Sequence, residues 1–132
     1  MKKFFPNKVV IILFAALLVL VTGCSQSQTT PASAVEAYHL ALVARDKERV
    51  TNLSCADWEA TALVEVASLT AVEVTLEDIS CQESGQDGNF TLVNCSGKIV
   101  ANYGNEVQEL DLSERSYQVV EEGGEWRMCG YR

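Results

Sequence analysis

The spacing of apolar residues divides the chain into a helical first part and a stranded second part. Between residues 33 and 69, apolar positions recur every three or four residues, which is the repeat of a helix buried on one face. Ser33, with Glu36 three residues later, has the pattern of a capping box, so the first helix is predicted to begin at Ser33. The predicted helices span residues 33–44, 47–54 and 57–68.

After Thr70, apolar and polar residues alternate, which is the pattern of strands with one buried face. Turns are predicted at residues 83–89, 104–105 and 122–125, where Gly, Asn and Asp concentrate. The apolar phase changes by one residue within the third strand, so a β-bulge is expected at residues 113–116. The four predicted strands begin at Val72, Phe90, Glu106 and Trp126.

The N-terminal segment has the layout of an export signal. Lys2, Lys3 and Lys8 precede an uninterrupted run of thirteen apolar residues, 9–21. A membrane-spanning helix needs about 20 such residues, so this run is too short to span a bilayer by itself. The pattern therefore predicts a signal peptide.

The residues that close this run, Val21-Thr22-Gly23-Cys24, resemble the lipobox of bacterial lipoproteins. The resemblance implies that residues 1–23 are removed and that the Cys24 thiol receives fatty acyl chains. Two or three chains make a stable membrane anchor, whereas one holds a protein only marginally. A conventionally cleaved signal and an uncleaved anchor are the alternatives, and the first is disfavoured because Thr-Gly-Cys is a poor A-x-A cleavage site.

Residues 24–32 are predicted to link the lipid to a single α+β domain at residues 33–132. The stretch SQSQTTPAS is polar and uncharged, as is typical of a flexible tether. We expect the domain to lie in the cell envelope, on the extracytoplasmic side of a membrane.

Without the signal, the chain carries 7 basic and 18 acidic residues, a net charge of about −11. Such a surface repels nucleic acid phosphates, so a nucleic-acid partner is excluded. The predicted partners are the bilayer, through the acyl chains, and an envelope protein or small ligand.

Four cysteines remain beyond Cys24, and an even number in an exported chain of this size predicts two disulfides. Counting alone leaves three pairings open. A structural zinc site is disfavoured because the sequence has no C-x-x-C pair and a single histidine, His39. No cofactor and no metal are predicted.

Helices followed by strands, with the closing Gly124-Glu125-Trp126, resemble the cystatin-like or nuclear-transport-factor-like cone of small bacterial lipoproteins of unknown function. The resemblance implies N-terminal helices packed on a curved, four-stranded antiparallel sheet. In such a fold two cysteines flank the first hairpin and two connect the helices to the last strand. The implied disulfides are Cys81–Cys95 and Cys55–Cys129.

Proteins of this fold can hold a pocket between the sheet and the helices. The possible pocket residues are Tyr38, Tyr103, Tyr117 and Trp126. His39 follows Tyr38 by about 100° around the helix, so it is expected at the surface. The strand carboxylates are expected to point outward because they alternate with apolar residues: Glu73, Glu77, Glu109 and Asp111.

The single histidine leaves no Cys–His pair and only a weak Ser–His one. No phosphate-binding loop or calcium loop is present in the sequence, and no catalytic residue is predicted. The predicted function is therefore a non-enzymatic binding or interaction module at the cell envelope. The alternative is a small-pocket enzyme, or a carrier for an apolar small molecule, using Tyr38 and a buried carboxylate.

Overall fold

A computed structural model describes residues 30–132. The predicted signal peptide, Cys24 and residues 24–29 of the predicted tether lie outside this range. Three helices come first: α1 (Pro31–Val43), α2 (Lys47–Asn52) and α3 (Glu59–Ser68). Five strands follow: β1 (Glu73–Asp87), β2 (Phe90–Asn102), β3 (Val107–Asp111), β4 (Ser116–Glu122) and β5 (Glu125–Tyr131). The predicted α+β class, with helices before an antiparallel sheet, is confirmed.

The sheet has five strands rather than the predicted four, because the third is interrupted. The order is β1-β2-β4-β5, and β3 and β4 pair with successive parts of β2. A short 3₁₀ turn, Leu112–Glu114, separates them. The Asp111 side chain caps this turn by accepting a hydrogen bond from the Ser113 backbone N–H at 2.8 Å, and the Leu112 side chain is buried. The change of apolar phase therefore marks a strand break, and the predicted bulge at 113–116 is wrong.

Helix α1 begins two residues earlier than predicted. Thr30 is extended and its hydroxyl accepts a hydrogen bond from the Ser33 N–H at 3.1 Å. The Ser33 hydroxyl accepts in return from the Thr30 N–H, and Pro31 stands at the first helical position, where its missing N–H costs nothing. Residues 30–32 thus belong to the folded domain rather than to the tether.

The first hairpin is longer than predicted. Strand β1 continues through most of the expected turn to Asp87, which pairs with Phe90. Only Gly88 and Asn89 form the turn, and Gly88 has φ of 60°, a conformation that favours glycine. The register of β1 with β2 shifts at two places, between Glu77 and Ser80 and between Glu83 and Gly85.

Helix α1 packs across the sheet and supplies much of the core, alongside residues from strands β2, β4 and β5. Burying each large apolar side chain contributes about 1.5–3 kcal/mol before chain entropy is counted. The largest fully buried side chains are Tyr38, Tyr117, Leu112, Met128, Val35, Val50, Val66, Val93 and Val119.

Two disulfides connect the elements as implied by the fold resemblance. Cys55, between α2 and α3, is bonded to Cys129 on β5. Cys81 on β1 is bonded to its cross-strand neighbour Cys95 on β2. The first bond fixes the helical layer to the last strand, beside the cavity described next.

Candidate functional site

A cavity of about 440 Å³ lies between α1, α3 and the sheet. Its apolar wall comes from helices and strands alike: Leu42, Leu69, Ile99, Ala101, Leu110 and Met128. Specific small-molecule sites commonly have volumes of roughly 300–1,000 Å³, with mostly apolar walls and a few convergent polar groups. The cavity meets both criteria.

A β-bulge in β5 directs two residues of this strand into the cavity. Tyr117 pairs with Tyr131, and Val119 pairs with Met128. One residue of β4 between these pairs therefore faces two residues of β5. The extra residue reverses the alternation of side chains, so Met128 and Tyr131, three positions apart, both line the cavity.

Glu65 on α3 is the centre of a hydrogen-bond network at the cavity wall. The Tyr38 hydroxyl donates to Oε2 at 2.6 Å, and the Tyr131 hydroxyl donates to Oε1 at 3.0 Å. The Trp58 indole N–H donates to the Tyr38 hydroxyl at 3.2 Å. Burial, followed by the hydrogen bond to Glu65, raises the pKa of Tyr38 well above its usual value. Burial and the Glu65 charge likewise raise the pKa of Tyr131. Both tyrosines are therefore fixed as neutral donors.

His39 also lines the cavity, and only 4% of its surface is exposed. Its Nδ1 lies 2.9 Å from the Val35 carbonyl oxygen, which can only accept, so Nδ1 carries the proton. Nε2 has no hydrogen-bond partner among residues 30–132 and keeps some access to solvent. Burial, with a smaller contribution from the Arg115 charge, lowers the pKa of His39 to about 4. At neutral pH the imidazole is thus an acceptor for a donor group in the cavity.

The prediction that His39 lies at the surface is wrong. Helix α1 is buried over more of its circumference than one apolar stripe, because strands contact it on both sides of Tyr38. The His39 ring packs edge-on against Tyr117 with centroids 4.9 Å apart, and against Tyr38 at 5.8 Å. The helical spacing of apolar residues underestimates this wider contact.

Arg115, between the 3₁₀ turn and β4, places a positive charge at the cavity. Its guanidinium carbon lies 4.1 Å from the centre of the Tyr131 ring, in cation–π geometry. No carboxylate lies within ion-pair distance of Arg115 in the described part of the chain, whereas Lys98, Arg127 and Arg132 each form an ion pair.

Of the four tyrosine and tryptophan residues predicted for a pocket, Tyr38, Tyr103 and Tyr117 line the cavity. Tyr103 follows β2 at the rim and is 51% exposed. Trp126 does not line the cavity, because it lies at the opposite end of β5 from Tyr131, next to the turn into that strand. Trp58, which directly precedes α3, contributes to the site instead through its hydrogen bond to Tyr38.

The strand carboxylates lie largely as predicted, with Glu73, Glu77 and Asp111 exposed. Glu109 is also exposed and pairs with Lys98 at 2.8 Å, although it contributes to the cavity's outer edge. Sequence reasoning missed the helical Glu65. The available signal was its position: Glu65 lies on the same face of α3 as Ala62 and Leu69, where a charge is unexpected.

Among residues 30–132, no helix combines the length and apolarity needed to cross a membrane. No protein-family model and no curated protein matches the sequence.

The solved structures that are similar to this chain include two bacterial proteins. One is the solution structure of a SEC-C motif containing protein from Rhodopseudomonas palustris, 12% identical, with a TM-score of 0.47 over 77% of this chain and 78% of that one. The other is the crystal structure of the helical cell shape determining protein Pgp2 from Campylobacter jejuni. It is 11% identical, with a TM-score of 0.50 over 76% of this chain, and the match spans only 38% of Pgp2. The similarity to Pgp2 concerns the fold alone.

Proposed function

We propose that this protein is a lipid-anchored lipoprotein of the cell envelope whose domain binds a small ligand, without catalysis, in the cavity between its helices and sheet. The single observation that carries the binding role is the cavity itself. It combines an apolar wall with a carboxylate, a neutral imidazole and a guanidinium, all held by well-packed elements.

The anchor rests on the sequence Val21-Thr22-Gly23-Cys24 after a basic, apolar signal. Acyl chains on Cys24 attach the domain to the extracytoplasmic side of a membrane. The two disulfides support an oxidising compartment, because cytosolic proteins rarely keep structural disulfides. The acidic surface favours a position off the anionic lipid surface and away from nucleic acids.

The fold belongs, in our proposal, to the cystatin-like or nuclear-transport-factor-like cones. The arrangement that supports this is α1 packed across four strands of one sheet, with a cavity lined by residues of both. In this class the cavity is the usual place for a ligand, so the proposed fold and the proposed site agree.

Binding is favoured over catalysis by the way the polar groups are occupied. Each Glu65 oxygen already accepts a tyrosine hydrogen bond, so the carboxylate is held in place by two neutral donors. His39 Nδ1 is held by a backbone carbonyl of its own helix, not by a carboxylate that would increase the basicity of its imidazole. The site therefore offers fixed acceptors and a fixed charge rather than a proton relay.

The binding role is tested by a thermal-shift screen of the full chain in mild detergent against small neutral, anionic, cationic and zwitterionic compounds. Ala101→Phe fills the cavity from β2, and Ala60→Phe adds the same side chain on the exposed part of α3. We expect at least one compound to stabilise the parent and the Ala60→Phe variant but not Ala101→Phe. Stabilisation that survives in Ala101→Phe, or no stabilisation by any class, contradicts the proposal.

The anchor is tested separately by metabolic labelling with radioactive palmitate. The parent chain should carry the label and shift in size when globomycin blocks the lipoprotein signal peptidase, and Cys24→Ala should carry none. An unlabelled parent of unchanged size contradicts the anchor while leaving the cavity result untouched.

A further inference from the structure

We propose, resting on the proposed binding function, that the ligand is a small zwitterion with an apolar side chain: a free amino acid or dipeptide. Its ammonium group is bound by Glu65 and its carboxylate by Arg115. Both residues contact Tyr131: its hydroxyl donates a hydrogen bond to Glu65, and the Arg115 guanidinium lies over its ring.

The first observation is that the cavity holds two opposite charges that do not neutralise each other. Within residues 30–132, neither Glu65 nor Arg115 takes part in an ion pair. Both line the cavity and both are only partly exposed. The other charged residue that lines the cavity, Glu109, is paired with Lys98. The carboxylate of Glu65 and the guanidinium of Arg115 therefore remain available to a ligand.

The second observation is that Tyr131 contacts both charged groups, its hydroxyl Glu65 and its ring Arg115. The ring also makes an edge-on contact with Trp58, whose ring centre is 5.5 Å away. The bulge in β5 directs Tyr131 into the cavity, where it meets both residues. A bound molecule that meets both must carry a positive and a negative group.

The hydrogen-bonding capacity of the site agrees with this ligand. A carboxylate has about four lone-pair positions, and the tyrosines use two of those on Glu65, so acceptor capacity remains for an ammonium group. The His39 Nε2 lone pair is a further acceptor. Arg115 brings a planar set of donors suited to a carboxylate.

Other ligand classes leave a charge uncompensated. A neutral apolar molecule would displace water from Glu65 and Arg115 without offering hydrogen bonds or charges in its place. A simple anion would be repelled by Glu65, and a simple cation by Arg115. The apolar wall of Leu42, Ile99 and Met128 then accommodates the side chain, and the volume suits an aromatic amino acid or a dipeptide.

The test is isothermal titration calorimetry of the full chain in mild detergent with a matched set of probes. L-Phenylalanine and L-alanyl-L-phenylalanine carry both charges, and the tighter binder identifies the preferred size. N-acetyl-L-phenylalanine lacks the positive charge, L-phenylalaninamide lacks the negative charge, and 3-phenylpropanol lacks both. We expect the better zwitterion to bind about 10- to 100-fold more tightly than each of the other three.

Two variants assign the charges. Arg115→Gln should weaken binding of the zwitterion but not of the cationic amide, which should bind at least as tightly because a repelling charge is removed. Glu65→Gln should weaken binding of the zwitterion but not of the anionic N-acetyl compound, which should bind at least as tightly for the same reason. Arg132→Gln and Glu59→Gln change exposed charges that do not line the cavity, and both should bind as the parent does.

The outcomes separate this inference from the proposed function. If 3-phenylpropanol or a singly charged probe binds as tightly as the better zwitterion, the ligand class is refuted and the binding function stands. Equal loss of all probes in Arg115→Gln, with unchanged thermal stability, also refutes the assignment of its charge. If no probe binds and the broader thermal-shift screen is also negative, both proposals fail.

Discussion

Protonation of His39 should make this domain lose stability between pH 6.5 and 4. The imidazole is almost fully buried, and burial lowers its pKa from 6.5 to about 4. In that interval the unfolded chain binds a proton that the folded chain does not, so the free energy of unfolding falls as pH falls. One pKa unit corresponds to about 1.4 kcal/mol, so the full difference is about 3 kcal/mol.

The loss begins near pH 6.5, where the unfolded imidazole titrates, and is complete near pH 4, where the folded one does. Urea unfolding of the full chain in detergent, followed by tryptophan fluorescence at pH 7, 6, 5 and 4, measures it. Carboxylates also titrate at the acid end, so His39→Gln is measured in parallel. The variant loses the ring packing against Tyr117 at every pH, which lowers its free energy of unfolding by a constant amount. Protonation of His39 is therefore measured by the difference between the two proteins in how steeply the free energy of unfolding changes with pH.

The parent should lose about 3 kcal/mol more than His39→Gln between pH 7 and 4. If the free energy of unfolding falls equally with pH in the parent and in His39→Gln, the imidazole has the same pKa in the folded and unfolded chains. The arrangement of a neutral acceptor in the cavity would then be refuted.

Three further changes probe the elements around the cavity by urea unfolding. Tyr38→Phe removes a 2.6 Å hydrogen bond to Glu65 and should cost about 1.5–3 kcal/mol; an unchanged midpoint would refute the network. Gly97→Ala should cost roughly 2–4 kcal/mol of unfolding free energy, because Gly97 has φ of 98° and a Cβ there would lie 2.5 Å from the Glu77 carbonyl oxygen. Full stability of this variant would contradict the β1–β2 register. Replacing Cys55 and Cys129 together by Ala opens a 74-residue loop and should cost about 4 kcal/mol, and a loss below 1 kcal/mol would contradict this disulfide's structural role.

Local sequence patterns predicted the elements well where a single cause determined them. The alternation that begins at Val72 follows from burial of one face of the sheet. The Gly123-Gly124 turn follows from its need for two residues at positive φ. The disulfides followed from the order of the elements once a fold resemblance was adopted. The strand break at Leu112 was visible only as a change of phase, which a bulge and a 3₁₀ turn both produce.

The cavity was harder to predict because tertiary contacts create it. Tyr38 and Tyr117 could be anticipated as large aromatic residues near the helix–sheet interface. His39 could not be assigned, since it lies beside an apolar stripe and its burial depends on how far the sheet extends around α1. Glu65 lies on the apolar face of α3, but its tyrosine partners come from α1 and β5 and only the fold brings them together. Arg115 meets Tyr131 only because a bulge redirects the end of β5.

Met128 provides the most direct test of the claim that a ligand occupies the cavity. The sequence has two methionines, Met1 and Met128, and removal of the predicted signal leaves only the second. Met128 is fully buried and lines the cavity, so its methyl group reports on this site alone. In ¹³C-methyl NMR of the processed protein, we predict a single methionine signal that moves saturably with each ligand that raises the melting temperature. A signal that stays in place while those ligands bind would contradict the account.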